Sequence, residues 1–250
     1  MTGFSLRYVG GPTALIETGG VRLLTDPTFD GPGEYPVVGR ALAKTEGPAV
    51  SAYHLGPVDA VLLSHDQHPD NLDAAGRVLL STTPLTLSTR AARERLGDPV
   101  RALDPWQSAS VGPLRVTALP ARHGPEGTEH VTGPVLGFAL DGEGLPRVYL
   151  SGDNASLEVV AQIAERLGPF DVAVLCAGAA RTSLVAGNLT FSSADAARAA
   201  RLLDARAVIP LHFEHWTHVT EGADALERAF AEAGLAERLR LPRPGETLTV

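Results

Sequence analysis

The segment VLLSHDQHPDNLD, residues 61–73, joins an apolar run to a dense cluster of polar residues. The run begins at residue 58 and has the length and composition of a buried β-strand. Imidazole nitrogens and carboxylate oxygens, the ligands that zinc, manganese and iron(II) accept, follow it closely. Two imidazoles and three carboxylates stand within nine residues: His65, His68, Asp66, Asp70 and Asp73. The segment therefore predicts a metal site at the C-terminal end of a buried strand.

Three other segments repeat this arrangement of an apolar strand that ends in a polar side chain. His123 follows VTALPAR, Asp153 follows VYLSG, and His212 follows VIPL. In α/β folds, ligands and catalytic groups gather at the carboxyl ends of strands. We therefore expect these three side chains to lie close to the cluster at residues 65–71.

The order of predicted elements indicates an α/β protein with helices packed outside sheets, organised as one domain over residues 1–250. The Gly- and Pro-rich region 28–55 predicts a loop or flap with a short helix near 38–44. Strand-like segments lie at 5–9, 13–17, 21–25, 58–64, 84–88, 114–121, 135–140, 147–152, 172–178, 207–212 and 247–250. Helical segments lie at 70–80, 89–96, 155–167, 193–203 and 222–234.

Composition excludes several classes of protein. The 250 residues are 44% hydrophobic and 20% charged, which is typical of a globular domain and not of a disordered or collagenous chain. Cys176 is the only cysteine, so no internal disulfide can form, and its apolar strand predicts a buried thiol. A formal charge of −8 disfavours a nucleic acid partner. Without a signal peptide or an apolar membrane span, we expect a cytoplasmic protein with no membrane contact.

The chain resembles the metallo-β-lactamase fold hydrolases, and most closely their ascorbate-6-phosphate lactonase-like branch. Five segments carry the resemblance in the family's order: TALIETGGVRLLTDP (13–27), VLLSHDQHPDNLD (61–73), ALPARHG (118–124), VLGFAL…VYLSGDN (135–154) and VIPLHFE (208–214). The resemblance implies an αββα sandwich, in which two sheets face each other between two helix layers. It also implies a metal site at one edge of the sandwich.

This sequence departs from the family's first metal motif, His-x-His-x-Asp-His. His68 and Asp70 keep the family's His-x-Asp spacing, but His65 stands three residues before His68 instead of two. Counting backwards from His68 would put Asp66 in the first position. We expect His65 to be the ligand, because it leaves the strand where the family's first histidine does. Asn71 stands where the motif's final histidine would be.

By the same resemblance, His123 is the third histidine of the first metal site, and Asp153 is the carboxylate that bridges two metals. His212 is the last histidine of the second site, and Asp70 binds metal and orients or deprotonates the nucleophile. Asn71 would weaken this second site, because its amide oxygen is neutral. The resemblance implies one or two zinc ions and leaves manganese or iron(II) open.

Four further residues are candidates for supporting the ligands or contacting substrate. Asp26 follows a strand and is expected to brace the metal loop through hydrogen bonds. Glu214, Trp216 and His218 alternate after His212, and an extended segment would turn them to one side. A surface loop with a partly packed Trp216 is an equally weighted alternative for this segment.

The function that these observations favour is hydrolysis of a small molecule with an ester, lactone, amide or phosphodiester bond by a metal-bound hydroxide. Two alternatives stay open: an iron-dependent redox enzyme on the same fold, and a metal-binding protein whose altered motif has lost the chemistry. Arg122 and Arg181 flank predicted site strands and could clamp an anionic substrate. The sequence leaves a homo-oligomer open.

Overall fold

Two β-sheets organise the part of the chain that the computed structural model describes, residues 3–37 and 40–250. The strands are β1 (Ser5–Gly10), β2 (Thr13–Thr18), β3 (Val21–Thr25), β4 (Gly33–Val37), β5 (Arg40–Lys44), β6 (Ala60–Leu62), β7 (Thr86–Ser88), β8 (Val100–Ala102), β9 (Ser108–Val111), β10 (Leu114–Pro120), β11 (Leu136–Asp141), β12 (Val148–Leu150), β13 (Val172–Cys176), β14 (Ala207–Leu211) and β15 (Thr247–Thr249).

The helices lie mainly between strands in the sequence. They are α1 (Ala52–Leu55), α2 (Ala74–Thr82), α3 (Arg90–Leu96), α4 (Glu129–Thr132), α5 (Leu157–Leu167), α6 (Ser193–Leu202) and α7 (Ala223–Glu232), followed by a 3₁₀ turn at Ala236–Arg238. Among the described residues, no helix has the length and apolar character needed to cross a bilayer.

Strands β1–β3 and β6–β8 form one sheet together with the C-terminal strand β15, and strands β9–β14 form the other. The first has seven strands in the order β15-β1-β2-β3-β6-β7-β8, and the second has six in the order β14-β13-β12-β11-β10-β9. In both sheets antiparallel pairs give way to parallel ones: β3 runs parallel to β6, and β12 runs parallel to β13. The parallel strands bring their carboxyl ends to one edge of each sheet.

Alternation of side chains along the strands divides the core into layers. In β3, Leu23 belongs to the cluster that both sheets share, whereas Leu24 belongs to a second cluster with Leu80 of α2. In β6 the same alternation separates Leu62 from Val61. Neighbouring residues of a strand point to opposite faces, so the first sheet packs on the second sheet on one side and on α2 on the other.

The helices of the second half complete the sandwich. Val160 and Ile163 of α5 and Leu226 of α7 are buried in the same cluster as the second sheet. Ser156 and Ser192 cap α5 and α6 by accepting hydrogen bonds from backbone N–H groups, which fixes where these helices begin. The predicted αββα architecture is therefore confirmed.

Some element predictions were wrong. The short helix predicted near 38–44 is absent from the described residues, because residues 40–44 form β5 and pair with β4 in a two-stranded hairpin. Val38 and Gly39, in the same prediction, lie outside the described residues. The helix predicted from residue 70 begins at Ala74, since Asp73 caps it by accepting a hydrogen bond from Gly76 N at 2.8 Å.

Gly76 allows α2 to approach the turn that follows β3. A Cβ on this residue would lie 2.0 Å from the carbonyl oxygen of Pro27, a distance that no packed structure tolerates. The close approach matters for the site, because Pro27 follows Asp26 and α2 follows the polar cluster at residues 65–71.

We predict that Gly76→Ala lowers the free energy of unfolding by about 1–3 kcal/mol, through overpacking against Pro27. In an unconstrained helix the same change would stabilise the protein by roughly 0.5–1 kcal/mol. Gly31→Ala is the control, because a Cβ there meets no atom within 4 Å. Urea denaturation measures both variants, and a Gly76→Ala protein as stable as the wild type would contradict the packing.

Candidate metal centre

Strand ends and the loops after them deliver the polar residues to one edge of the sandwich. His65 follows β6, His123 follows β10, Asp153 follows β12, and His212 follows β14. The loop between β6 and α2 adds His68 and Asp70. This convergence explains how residues far apart in sequence form one site.

Three histidines form the first group of potential ligand atoms. One nitrogen from each of His65, His68 and His123 lies within 4.8 Å of the others. His65 Nε2 lies 2.9 Å from His68 Nδ1. His65 and His123 are buried, and His68 is partly buried. Three converging imidazoles are a ligand set typical of zinc.

Neighbouring groups orient these imidazole rings. His65 Nδ1 lies 2.8 Å from Ser64 Oγ, and His123 Nδ1 lies 2.8 Å from the carbonyl oxygen of Leu189. The contact to Leu189 needs a proton on Nδ1 of His123, which leaves Nε2 free to accept. Hydrogen bonds of this kind fix the tautomer and ring orientation of metal-binding histidines.

A second group consists of Asp70, His212 and His218. Asp70 Oδ2 lies 3.0 Å from His218 Nε2 and 3.4 Å from His212 Nε2. Asp70 and His212 are buried. A carboxylate with two imidazoles offers a mixed oxygen and nitrogen ligand set.

Asp153 connects the two groups. Its Oδ2 lies 4.0 Å from His65 Nε2 and 3.9 Å from His123 Nε2, while its Oδ1 lies 3.2 Å from His212 Nδ1. The two oxygens of one buried carboxylate therefore face one group each. Cys176, buried on β13, has its sulfur within 4.8 Å of ligand atoms of Asp153 and His212.

The electrostatic environment favours the neutral form of His65 and His68 and the ionised form of Asp70 and Asp153. Burial lowers the pKa of His65 well below its usual value and that of His68 to about 4. Burial would raise the pKa of Asp70, but the close contacts with the imidazoles of His212 and His218 hold this pKa well below its usual value. Asp153 likewise has a lowered pKa, because the interaction with His212 outweighs burial. Neutral imidazole and ionised carboxylate are the forms that bind cations.

Buried atoms without hydrogen-bond partners show that a cation fits this site. Asp70 Oδ1 and His212 Nε2 are buried and have no hydrogen-bond partner among the described residues. Leaving such atoms unsatisfied is costly unless a ligand occupies them. Together with the chemistry of the donors, they match what a metal ion requires.

The structure places His65, and not Asp66, in the first group. Asp66 accepts hydrogen bonds from Arg95 through both carboxylate oxygens, one of them from Nε at 2.8 Å. Its side chain is thus held by α3 and does not join the histidines. This arrangement explains why the motif tolerates an extra residue between His65 and His68.

Asn71 and Asp26 lie against the loop between β6 and α2 that carries the ligands. Asn71 is fully buried, and its Nδ2 lies 3.5 Å from Asp26 Oδ2. Asp26 Oδ1 accepts a hydrogen bond from Ser64 N at 2.6 Å, next to His65. Asp26 therefore braces the start of the loop.

The segment after His212 does not run extended as alternation would require. His212 and His215 have φ values of 54° and 71°, which turn the chain. His218 consequently reaches Asp70, whereas Glu214 turns toward His215, with 3.6 Å between Oε1 and Nε2. Trp216 is buried with its ring 6.1 Å from that of His218, so it packs beside the site and is not part of a surface loop.

Sequence reasoning assigned His218 only a supporting or substrate role, although the structure puts it in the second group. The sequence feature that could have indicated this role is the missing final histidine of the motif. Asn71 occupies its position, so a histidine later in the chain could take its place. The two arginines expected to clamp a substrate are engaged elsewhere: Arg122 donates to Ser156 Oγ at 2.7 Å, and Arg181 donates to Asn188 Oδ1 at 2.9 Å.

Comparison with known proteins agrees with this geometry. A family described as "Beta-lactamase superfamily domain" matches residues 21–213, which include every strand-end residue of the site. The chain belongs to this family. The expected resemblance to the metallo-β-lactamase superfamily is thereby confirmed, whereas the ascorbate-6-phosphate lactonase-like branch stays a prediction.

One curated relative and two solved structures match nearly the whole length of the chain. A UPF0173 metal-dependent hydrolase of Rubrobacter xylanophilus is 26% identical over 98% of this chain and 96% of its own. An isothiocyanate hydrolase from Delia radicum gut bacteria shares the fold with a TM-score of 0.83 and 22% identity, covering 98% of both chains. CmlA, a diiron β-hydroxylase from Streptomyces venezuelae, shares it with a TM-score of 0.72 and 18% identity over 54% of that longer chain.

The brace at Asp26 gives a prediction that needs no metal. Burial, with the nearby charge of Asp153, raises the pKa of Asp26 to about 8. Since the folded state then holds a proton that the unfolded state releases, wild-type stability should fall as pH rises from about 4 to about 8. Asp26→Asn lacks this titration but keeps an acceptor for Ser64 N.

The melting temperature of metal-free wild type should therefore fall relative to that of metal-free Asp26→Asn as the pH rises over this range. Asp26→Ala is the matched variant without an acceptor, and it should be about 1–3 kcal/mol less stable than Asp26→Asn at every pH. A pH-independent difference between wild type and Asp26→Asn would show that Asp26 does not titrate in this window.

Proposed function

We propose that this protein is a metal-dependent hydrolase that cleaves an ester, lactone, amide or phosphodiester bond in a small molecule. The observation that carries the proposal is the pair of ligand groups joined by the buried carboxylate of Asp153. The proposal is also supported by a relative that is named as a metal-dependent hydrolase.

In this proposal His65, His68 and His123 hold one divalent ion, and Asp70, His212 and His218 hold a second. Asp153, which lies between the two groups, would help to hold both ions. When bound, such ions lower the pKa of a coordinated water and polarise the substrate oxygen. Zinc is the first candidate because the first group consists of imidazoles, while the oxygen donors of the second also suit manganese.

The chain's own residues supply position and proton handling. Asp70 is ionised and its Oδ1 lacks a hydrogen-bond partner among the described residues, so it can accept a proton or orient the attacking water. The inner cavity, which His68, Asp70 and Asp153 line, also has apolar walls that include Leu42 and Leu189. Apolar walls exclude bulk water and strengthen the electrostatic interactions inside.

Access to the centre suits a small substrate. A wider cavity of about 240 Å³ lies outside the inner one, and both share Arg40, His68 and Leu189 as walls. The formal charge of −8 disfavours nucleic acid as the substrate. A cytoplasmic location, no membrane contact and a homo-oligomer stay part of the proposal.

An iron-dependent redox enzyme is the second candidate. CmlA is described as a diiron β-hydroxylase, and imidazole with carboxylate donors also suits iron. Mass spectrometry of the metals in the purified protein separates the candidates: zinc or manganese supports the hydrolase, and iron supports the redox enzyme. If the protein binds no metal after reconstitution, the result would favour the alternative in which the altered motif has lost its catalytic activity.

The ligand assignment predicts the metal content of variants. His68→Ala and Asp153→Ala should each lose bound metal and lower the melting temperature of the metal-loaded protein, because bound metal stabilises only the folded state. His54→Ala is the control, since His54 is an exposed histidine held only by Ser51. If both site variants keep the wild-type metal content, the assignment is wrong.

His218 tests the second ion separately. His218→Ala should lower the affinity of the second equivalent by at least about tenfold and leave the first nearly unchanged, because it removes one of that ion's ligands. Calorimetric titration of zinc into metal-free protein resolves the two steps. His54→Ala, at an exposed histidine outside both groups, is the comparison. Equal effects of the two substitutions would remove His218 from the ligand set.

A further inference from the structure

The wide cavity outside the centre has an uneven distribution of charge. Arg40 and Arg95 line it, and no Asp or Glu from the described part of the chain does so. Both arginines lie on walls that lead to His68. A cavity lined by cations, next to a centre that binds small molecules, favours an anionic occupant.

The two arginines differ in what already holds them. Asp66 binds Arg95 and so neutralises its charge within the structure. Arg40 forms no ion pair with a carboxylate in residues 3–37 and 40–250, and its buried Nε has no hydrogen-bond partner there. A buried guanidinium nitrogen without a partner is costly, unless a ligand supplies the acceptor.

Arg40 lies where the wide cavity meets the inner one, next to the candidate metal centre. Among the described residues it is the only Arg, Lys, Asp or Glu that lines both the wide cavity and the inner one.

The strand that carries Arg40 is anchored at its other end. β5 begins at Arg40 and ends at Lys44, the only lysine of the chain, which is buried. Lys44 Nζ donates to the carbonyl oxygen of Asp30 at 2.8 Å and lies 3.6 Å from Asp73 Oδ2. It also lies 5.5 Å from the ring centre of Trp216. These contacts hold β5 against the core and present Arg40 at the cavity.

We propose that Arg40 binds a carboxylate or phosphate group of the substrate, so that the molecule hydrolysed is a small anion. This inference rests on the proposed hydrolase function, whose substrate class it narrows. Val131 and Leu184, 39% and 58% exposed, line the same cavity and offer apolar contact to the remainder of the molecule. The guanidinium fork suits both oxyanions, because it can donate two parallel hydrogen bonds.

Anion binding to metal-free protein tests the inference without catalysis. Succinate and inorganic phosphate are titrated calorimetrically into wild type, Arg40→Gln, Arg40→Lys and Arg228→Gln at pH 7.5. Arg228 is exposed on α7 and lines neither cavity, so its substitution controls for lost charge. Wild type and Arg228→Gln should bind at least one anion equally, and Arg40→Gln should weaken that binding by at least about tenfold.

Arg40→Lys should bind with intermediate affinity, since it keeps the charge without the fork. The anion that binds more tightly identifies the oxyanion that the substrate carries. Equal binding by Arg40→Gln and Arg228→Gln, or no binding of either anion by wild type, would overturn the proposal.

Kinetics of metal-loaded protein separate this inference from the proposed function. Phenyl acetate and monophenyl succinate present the same bond without and with an anionic group. The ratio of their kcat/KM values should favour the anionic ester in wild type and in Arg228→Gln, and fall at least about tenfold in Arg40→Gln. An unchanged ratio in Arg40→Gln would refute the role of Arg40, whereas hydrolysis of neither ester by wild type would count against the hydrolase function alone.

Discussion

The burial of the Asp153 carboxylate between imidazoles is the constraint on which the site depends. A charged carboxylate removed from water needs compensating partners, and the partners of Asp153 come from separate strand ends: His65, His123 and His212. His65 follows a strand of the first sheet, and the other two follow strands of the second. The sandwich must therefore align both sheets at this edge before any ligand can bind.

The sequence was sufficient for the architecture and for most of the site because apolar strands ended abruptly in polar residues. An apolar run such as residues 60–64 is buried, and the charge that follows it lies at a sheet edge. That argument places four segments together without knowing the sheet order. It fails where alternation is weak, and residues 40–44 were expected to be helical although they pair as β5.

The remaining features come from loops, where no periodicity shows the direction of a side chain. The turns at His212 and His215, both with positive φ, decide that His218 and not Glu214 approaches Asp70. Asp66 and His65 are adjacent in sequence, and only the contact to Arg95 separates their roles. Such contacts connect elements that are far apart in the chain, so short-range patterns in the sequence do not predict them.

Binding metal and selecting substrate use different parts of the structure, which share one buried anchor. The ligands sit at strand ends and in the loops that follow them, whereas Arg40 sits on the β4–β5 hairpin outside the two large sheets. Asp73 links them, because it caps α2 beside the metal loop, accepts a hydrogen bond from Asp30 N at 2.6 Å, and lies within reach of Lys44. A change in the hairpin can therefore alter which molecule enters while the ligand set stays intact, and fold membership alone does not determine the substrate.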